Sequence, residues 1–182
     1  MRRFIVAMLL LVPMSAWSGV EKIAITEGSG IRFVWWPKVA PPSGWHFDEG
    51  SSHRFAFNAM APDGSTFSDA ETVLYAKADF KPRTAGIASL ESFVQSDIAD
   101  FRAEMPGLVV SREKTLYAQD RKPFQVVSYF PKQHADGNWE QVAYGEDGDY
   151  YITIAISSRT RDGLTRSMAA FRALVASYAI GP

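Results

Sequence analysis

The segment from His46 to His53 carries the side chains best suited to chemistry in this chain. Two imidazoles and the carboxylates of Asp48 and Glu49 fall within it. If it forms a hairpin through the turn-forming residues 48–52, His46 and His53 lie opposite each other and can share a zinc ion with Asp48. The alternative is a polar hairpin loop with solvated histidines, and the lack of helical or closely spaced ligand patterns favours it. We therefore expect neither a metal nor a cofactor.

The serines and paired carboxylates do not form a pattern typical of a hydrolase. Ser111–Lys114 matches S-x-x-K, but it ends a predicted strand and no S-D-N or K-T-G motif accompanies it. G-x-S-x-G and H-E-x-x-H are also missing. Asp147 and Asp149 would have to face each other across a cleft to cleave glycosides, whereas neighbours in a turn more often serve solvation. We expect a protein that is not an enzyme, with an envelope hydrolase as the least favoured alternative.

Three tryptophans are candidate binding residues: Trp35, Trp36 and Trp139. Adjacent residues on a strand point to opposite faces, so Trp35 and Trp36 are both buried only if both faces of the sheet are covered. If one face is open, the ring on that side is an anchor for a protein partner or a sugar. The alternative is that this ring packs beneath the loop at Pro41 and Pro42.

Arg159, Arg161 and Arg166 are the densest group of basic residues and lie at the start of the last predicted helix. Positive charge at a helix N-terminus opposes the helix dipole, and Asp162 offsets only part of it. An acidic partner could bind Arg159 and Arg161, while a solvated polar cap is the alternative.

The first 18 residues have the three-part pattern of a signal peptide. Arg2 and Arg3 form a positively charged start, Phe4–Val12 is an apolar run, and the small residues Ala16 and Ser18 precede a cleavage point after residue 18. A membrane-spanning helix needs roughly 20 apolar residues, about twice this run, which argues against an uncleaved anchor. The pattern predicts cleavage and export.

Length and composition predict that residues 19–182 form a single domain. A chain of 182 residues supports one domain with a substantial core. With no cysteine, it has no disulfide, no thiolate ligand and no lipid-modified N-terminal cysteine. Removing Arg2 and Arg3 lowers 19 basic residues to about 17 against 20 acidic ones, a charge that does not favour nucleic acid or anionic membranes. We predict a periplasmic or secreted protein whose mature chain does not span a membrane.

Hydrophobic periodicity predicts the elements that position these residues. The strand over 150–157 alternates isoleucines with other residues and leads into a helix whose apolar stripe covers 164–178. Ser89 is the N-cap of an earlier helix that ends near Met105. Closely spaced turns favour antiparallel hairpins, and a strand that feeds directly into a helix suggests helices on one face of the sheet. The other predicted strands cover residues 22–26, 31–36, 45–47, 54–60, 72–78, 108–112, 115–118, 124–130 and 139–144.

The order of these elements resembles a known fold. Its markers are Gly44-Trp45, a strand running into Met60-Ala61-Pro62, a Ser89-Leu90 helix start, a meander up to Ile156 and a last helix that contains Tyr178. This order is similar to the α/β/α fold of PsbP-like photosystem proteins, bacterial DcrB-like envelope proteins and the Ran-GTPase release factor. The resemblance implies a single α+β domain with amphipathic helices packed on an antiparallel sheet. It also implies a non-enzymatic adaptor or assembly role, and it transfers no binding residues.

The sequence therefore predicts an exported α+β domain that binds another envelope or secreted protein, as an adaptor, an assembly factor or an immunity-type inhibitor. The alternative is a protein that binds a small molecule or a glycan at the open sheet face, near Trp139 and either Trp35 or Trp36.

Overall fold

The computed structural model describes residues 19–27, 30–132 and 137–178. The leader predicted for residues 1–18 and the turn predicted around His134 fall outside this part of the chain. The strands are β1 (Val20–Glu27), β2 (Gly30–Pro37), β3 (Trp45–Phe47), β4 (Asn58–Pro62), β5 (Thr72–Phe80), β6 (Val109–Arg112), β7 (Leu116–Tyr117), β8 (Pro123–Phe130), β9 (Trp139–Asp147) and β10 (Tyr150–Ser158). The helices are α1 (Glu49–Phe55), α2 (Leu90–Glu104) and α3 (Arg161–Ser177), with a 3-10 turn at Lys81–Arg83. Among the described helices, none is long and apolar enough to cross a lipid bilayer.

The strands form an antiparallel sheet in the order β1-β2-β5-β10-β9-β8-β6. Strand β10 is central, because it pairs along its whole length with β5 on one side and with β9 on the other. The second edge of β5 is divided between β2, which pairs at Trp35, and β4, which pairs at Asn58–Met60. The antiparallel hairpins predicted from the turn spacing are confirmed.

Helix α3 covers one face of the sheet. Ile152, Ile154 and Ile156 of β10 are buried there in one cluster with Phe171 and Leu174 of α3. Alternation along the strand puts these three isoleucines on the same side, so a single helix can cover all of them.

Helix α2 covers the opposite face. Tyr151 and Ala155 of β10 are buried in a second cluster with Phe93, Val94 and Ile98 of α2. The expectation of helices on one face is therefore wrong, because both faces of β10 carry large apolar side chains and each face needs a cover. The single α+β domain in the α/β/α arrangement is confirmed.

Residues 49–55 form helix α1 instead of the loop that the sequence suggested. The Oδ1 atom of Asp48 caps this helix by accepting from the Ser51 amide at 2.9 Å. Ala56 ends the helix in the left-handed conformation, with φ at 63°. Strand β3 still pairs with β4, with the helix between them. The prediction of a strand that begins at Arg54 is wrong because the capped turn closes helical hydrogen bonds at this point.

Hydroxyl caps begin both long helices. Ser89 Oγ accepts from the Ser92 amide at 3.1 Å, and Ser92 Oγ accepts from the Ser89 amide at 3.0 Å, which confirms the predicted start of α2. Thr160 Oγ1 accepts from the Gly163 amide at 2.9 Å. Helix α3 therefore begins at Arg161, before the apolar stripe that the sequence predicted from residue 164.

We predict that Gly145→Ala destabilises the domain. A Cβ atom at Gly145 would lie 2.7 Å from Cε1 of Phe124, whose ring is buried against Tyr178. Overpacking of this kind costs about 1–3 kcal/mol. The free energy of unfolding measured in urea should fall by that amount. Gly50→Ala in α1 is the matched control, because its Cβ meets nothing closer than 3.6 Å. Equal stability of Gly145→Ala and the unmodified protein would contradict the prediction.

Candidate functional site

A cavity of about 570 Å³ lies on the α2 face of the sheet. Strands β5, β9 and β10 form its floor, α2 forms one side, and the segment between β4 and β5 forms another. Its lining residues are Phe57, Phe67, Ser68, Ala70, Glu71, Val73, Tyr75, Lys77, Asp97, Phe101, Asn138, Val142, Thr153, Ser157 and Arg159. The β5 and β10 residues in this set are all odd-numbered, as the alternation of side chains along a strand requires.

Aromatic rings form one wall of the cavity. The ring centroid of Phe57 lies 5.7 Å from that of Phe67 and 5.0 Å from that of Tyr75. Phe101 of α2 also lines the cavity and stacks on Tyr129 at 4.1 Å. Because the rings hold each other, this wall is formed before any ligand arrives.

Glu140 of β9 lies beside the cavity floor as a half-buried carboxyl group. Its Oε1 accepts from Ser157 Oγ at 2.8 Å, and its Oε2 accepts from the Tyr75 hydroxyl at 3.5 Å. Burial raises the pKa of Glu140 to about 7, because these two bonds offset only part of the cost of desolvating a charge. The nearby carboxylates of Asp97 and Glu104 raise it further.

Asp97 of α2 is a carboxyl group that lines the cavity itself. Its Oδ2 accepts from the Tyr144 hydroxyl, which lies 2.7 Å from the Tyr129 hydroxyl. Because the hydroxyl hydrogen of Tyr144 is used in the hydrogen bond to Asp97, the Tyr129 hydroxyl must donate to the Tyr144 oxygen. Burial raises the pKa of Asp97, and the hydrogen bond from Tyr144 and the charge of Lys77 lower it only in part. Both carboxyl groups therefore keep a proton to higher pH than exposed ones do.

Thr153 adds an unused polar group to the floor. Its side chain is only 3% exposed, and its Oγ1 has no hydrogen-bond partner among the described residues. A buried hydroxyl without a partner costs about 1–3 kcal/mol. The cavity floor thus includes a residue whose hydroxyl group has no partner within the described part of the chain.

The cationic groups of the cavity lie at its rim and have partners. Lys77 Nζ is 3.5 Å from Asp79 Oδ2, with the lysine side chain 40% exposed. The exposed guanidinium of Arg159 donates to the carbonyl oxygens of Ala70, at 2.6 Å, and Asp69. The buried part of the cavity therefore presents carboxyl and hydroxyl groups, and its positive charge faces solvent.

Trp35 and Trp36 point to opposite faces, as the sequence predicted, and neither ring is fully exposed. Trp35 stacks on Phe80 at 5.4 Å and lies under Arg83 at 4.7 Å. Trp36 contacts His53 edge-on at 5.8 Å in a second cavity of about 500 Å³. Neither ring lines the first cavity, and both have partners within the domain.

Trp139 and Arg161 line a separate cavity of about 420 Å³, whereas Arg159 lines the first cavity. The guanidinium of Arg161 covers the Trp139 ring at 5.5 Å, and Phe130 packs on that ring at 5.0 Å. Of the five tryptophan and arginine candidates, only Arg159 lines the first cavity. Their roles in binding stay predictions.

The structure does not gather the histidine segment into a ligand set. His46 lies on β3, 3.5 Å from Asp63, whereas His53 lies on α1 against Trp36. Asp48 accepts from the Ser51 and Phe67 amides, which hold its pKa below the ordinary value. Within residues 19–27, 30–132 and 137–178, no group of three or more His, Asp or Glu side chains is placed to hold a metal ion.

No sequence motif singles out the two carboxyl groups beside this cavity, Asp97 and Glu140. Asp97 falls within the apolar stripe of α2, between Val94 and Phe101, where a carboxylate is unusual. Glu140 shares the inward face of β9 with the buried residue Val142. A search for carboxylates at positions that face the core would have found both.

We predict that Glu140→Gln flattens the pH dependence of stability. The folded protein keeps the Glu140 proton up to a pKa of about 7, whereas the unfolded chain releases it near 4.5. The folded state therefore binds more protons between these values, and the free energy of unfolding falls as pH rises through this window. Across this window, the free energy of unfolding of the unmodified protein should fall by about 2–3 kcal/mol more than that of Glu140→Gln. Urea unfolding across this pH range tests it, with Glu146→Gln, an exposed carboxylate of the same strand, as control. Parallel profiles for the protein and Glu140→Gln would contradict it.

Comparison with known proteins shows the fold and no closer relationship. No protein-family model and no curated protein sequence matches the chain. Protein PA94 of Pseudomonas aeruginosa, a protein of unknown function, is similar in structure with a TM-score of 0.51 and 11% identity, over 88% of this chain and 98% of that one. Cyanobacterial PsbP (CyanoP) from Synechocystis sp. PCC 6803 is similar with a TM-score of 0.45 and 9% identity, over 93% and 96% of the two chains. The chain therefore shares its single-domain α+β fold with protein PA94.

Proposed function

We propose that the mature chain is an exported, non-enzymatic binding domain of the bacterial envelope, and that it holds a small molecule in the cavity between α2 and the sheet. The observation that carries this proposal is a preformed cavity whose floor includes Thr153, a buried residue whose hydroxyl has no hydrogen-bond partner among the described residues. A volume of about 570 Å³ lies within the range of small-molecule sites. Export rests on the signal-peptide pattern of residues 1–18.

The ligand that best fits the cavity has an amine and an apolar, preferably aromatic, body. Asp97 lines the cavity and Glu140 lies beside its floor, and burial raises the pKa of both carboxyl groups. An ammonium group would supply both charge and hydrogen-bond donors. The rings of Phe57, Phe67 and Tyr75 would cover the apolar part and attract the cation.

The hydrogen bonds of Ser157 support binding in preference to nucleophilic catalysis. Ser157 Oγ donates to Glu140 at 2.8 Å, as a nucleophile would to its base. However, it also accepts from Asn138 Nδ2 at 3.0 Å, and the residue is only 5% exposed. Its lone pairs are thus directed into the protein and do not face a bound molecule.

We predict that phenethylamine binds more tightly than phenylethanol or phenylpropionate, which match it in size but are neutral and anionic. Calorimetry and thermal shift measure this order, since a ligand specific for the folded state raises the melting temperature. Affinity should increase from about pH 5 to pH 7.5 as the carboxyl groups lose their protons. Asp97→Asn should weaken phenethylamine binding by about tenfold or more, the loss of one charge-assisted bond.

The matched control is Trp36→Ala, which changes the second cavity and should leave phenethylamine affinity unchanged. Asp97→Asn keeps an oxygen that can accept from the Tyr144 hydroxyl. A loss of binding in this variant would therefore reflect the missing negative charge and not a misfolded protein. If phenethylamine binds no more tightly than phenylethanol, the amine proposal is wrong, and a hydroxylated ligand such as a glycan takes its place.

Binding of another envelope protein is a second candidate function, favoured by the hairpin of β1 and β2. The side chains of Ile31 and Phe33 on β2 are 67% and 43% exposed. Lys22 lies over the Phe33 ring at 4.1 Å, so the surface combines apolar groups with a cation. It fits a partner that offers an acidic residue beside an apolar one, in the adaptor, assembly or immunity-type roles considered above.

We expect the double variant Ile31→Ser/Phe33→Ser to lose a partner that the mature protein captures from its own envelope extract. Removing both side chains takes away the largest exposed apolar surface of the hairpin. Mass spectrometry identifies the captured protein. Tyr117→Ser, which removes a 59% exposed ring from β7, is the control and should retain the partner. Retention of the partner by the double variant would contradict a role for this surface.

A further inference from the structure

The main chain is held in place from Gly19 onward. The Gly19 carbonyl accepts from the Lys38 amide at 2.7 Å, and the next residue, Val20, is buried in the core on the α3 face. The Gly19 nitrogen donates to Asp147 Oδ2 at 3.2 Å. The residue that should follow the predicted cleavage point is therefore bound by a carboxylate through its own nitrogen.

Asp147 is held by several donors at the end of β9. Its Oδ1 accepts from Lys122 Nζ at 2.5 Å, and its Oδ2 accepts from the Tyr178 hydroxyl at 2.9 Å in addition to the Gly19 nitrogen. Burial acts to raise the pKa of Asp147, but these donors together bring it below the ordinary value. Asp147 is thus an ionised, partly buried carboxylate that faces the Gly19 nitrogen.

We propose that a signal peptidase cleaves the Ser18–Gly19 bond and that the new α-ammonium group of Gly19 pairs with Asp147. Water adds across the peptide bond, so that Ser18 leaves with a carboxylate and Gly19 keeps its nitrogen as an amine that takes up a proton. The single N–H donor seen at this nitrogen then becomes a charged group with three donors. Cleavage completes the anchoring of β1 to the end of β9.

The position of the cut follows from two independent observations. Ala16 and Ser18 are small residues at the sites that a signal peptidase recognises before a cut after Ser18. A cut after Ala16 would leave the Gly19 nitrogen as an uncharged amide, and a cut after Gly19 would remove the contact with Asp147. Only the bond before Gly19 places the new positive charge at the carboxylate.

The pair between Gly19 and Asp147 gives a pH dependence of known sign. An α-amino group has an ordinary pKa of about 7.7–8.0, and a neighbouring carboxylate raises it in the folded state. The stabilisation is therefore complete below about pH 8, as long as Asp147, whose pKa lies below its ordinary value, stays ionised. It is lost as pH rises through the folded pKa of the amine. Lys122 and Tyr178 contact Asp147, and the charge of Asp120 raises the pKa of Tyr178. Because these groups also affect Asp147, the test must change only the amine.

The first test is the N-terminus of the full-length chain exported from a bacterial host with its own leader. Intact mass and N-terminal sequencing should show a protein that begins at Gly19. A protein that keeps the leader, or that begins at another residue, overturns the proposal. This inference rests on the export part of the proposed function and not on the cavity, so a failure of phenethylamine to bind leaves it unaffected.

The second test compares the melting temperatures of four proteins. The mature protein and its Asp147→Asn variant are each measured with a free and with an acetylated Gly19 amine. Acetylation should lower the melting temperature at pH 7 by about 2–4 °C in the Asp147 protein, a shift that one such pair produces in a chain of this size. The difference should vanish above about pH 10, where the amine is neutral. It should also be absent in Asp147→Asn. Equal melting temperatures at pH 7, or the same difference in Asp147→Asn, overturn the proposal.

Discussion

Strand β10 can be buried only if both of its faces are covered, and this requirement organises the domain. Its backbone pairs on both edges along its length, with β5 and β9, so it has no free edge. Its side chains alternate between Ile152, Ile154 and Ile156 on one face and Tyr151 and Ala155 on the other. Burying each large side chain stabilises the fold by about 1.5–3 kcal/mol. Neither face can be left in water, and α2 and α3 must therefore lie on opposite sides.

The two covered faces differ in what they contribute. The α3 face is filled by aliphatic and aromatic side chains such as Leu74, Ile154 and Phe171. The α2 face encloses the hydroxyl groups of Tyr129 and Thr153 and carboxyl groups that burial keeps protonated to higher pH. Buried polar groups without full partners cost stability. The α3 face supplies the stability that allows the α2 face to keep a polar cavity.

Local patterns in the sequence predicted most of the fold, whereas the site depends on contacts between distant segments. The alternation in β10 and the Ser89 cap are local features, and the structure has both. Helix α1 was missed because the cap at Asp48 outweighs the strand pattern that begins at Arg54. The cavity was missed because Asp97 comes from α2 and the floor residues come from β5, β9 and β10, and only the folded sheet brings them together.

Strand β9 carries two carboxyl groups whose surroundings shift their pKa values in opposite directions. Asp147 has donors from three different segments, and these outweigh burial, so its pKa falls below the ordinary value. Within the described part of the chain, the donors to Glu140 are the hydroxyl groups of Ser157 and Tyr75. Burial outweighs them, so the pKa of Glu140 rises to about 7. A carboxylate that the protein itself satisfies stabilises the fold. A carboxyl group that is buried with no cation among its described hydrogen-bond partners, as Glu140 is, would gain electrostatic free energy from a cationic ligand.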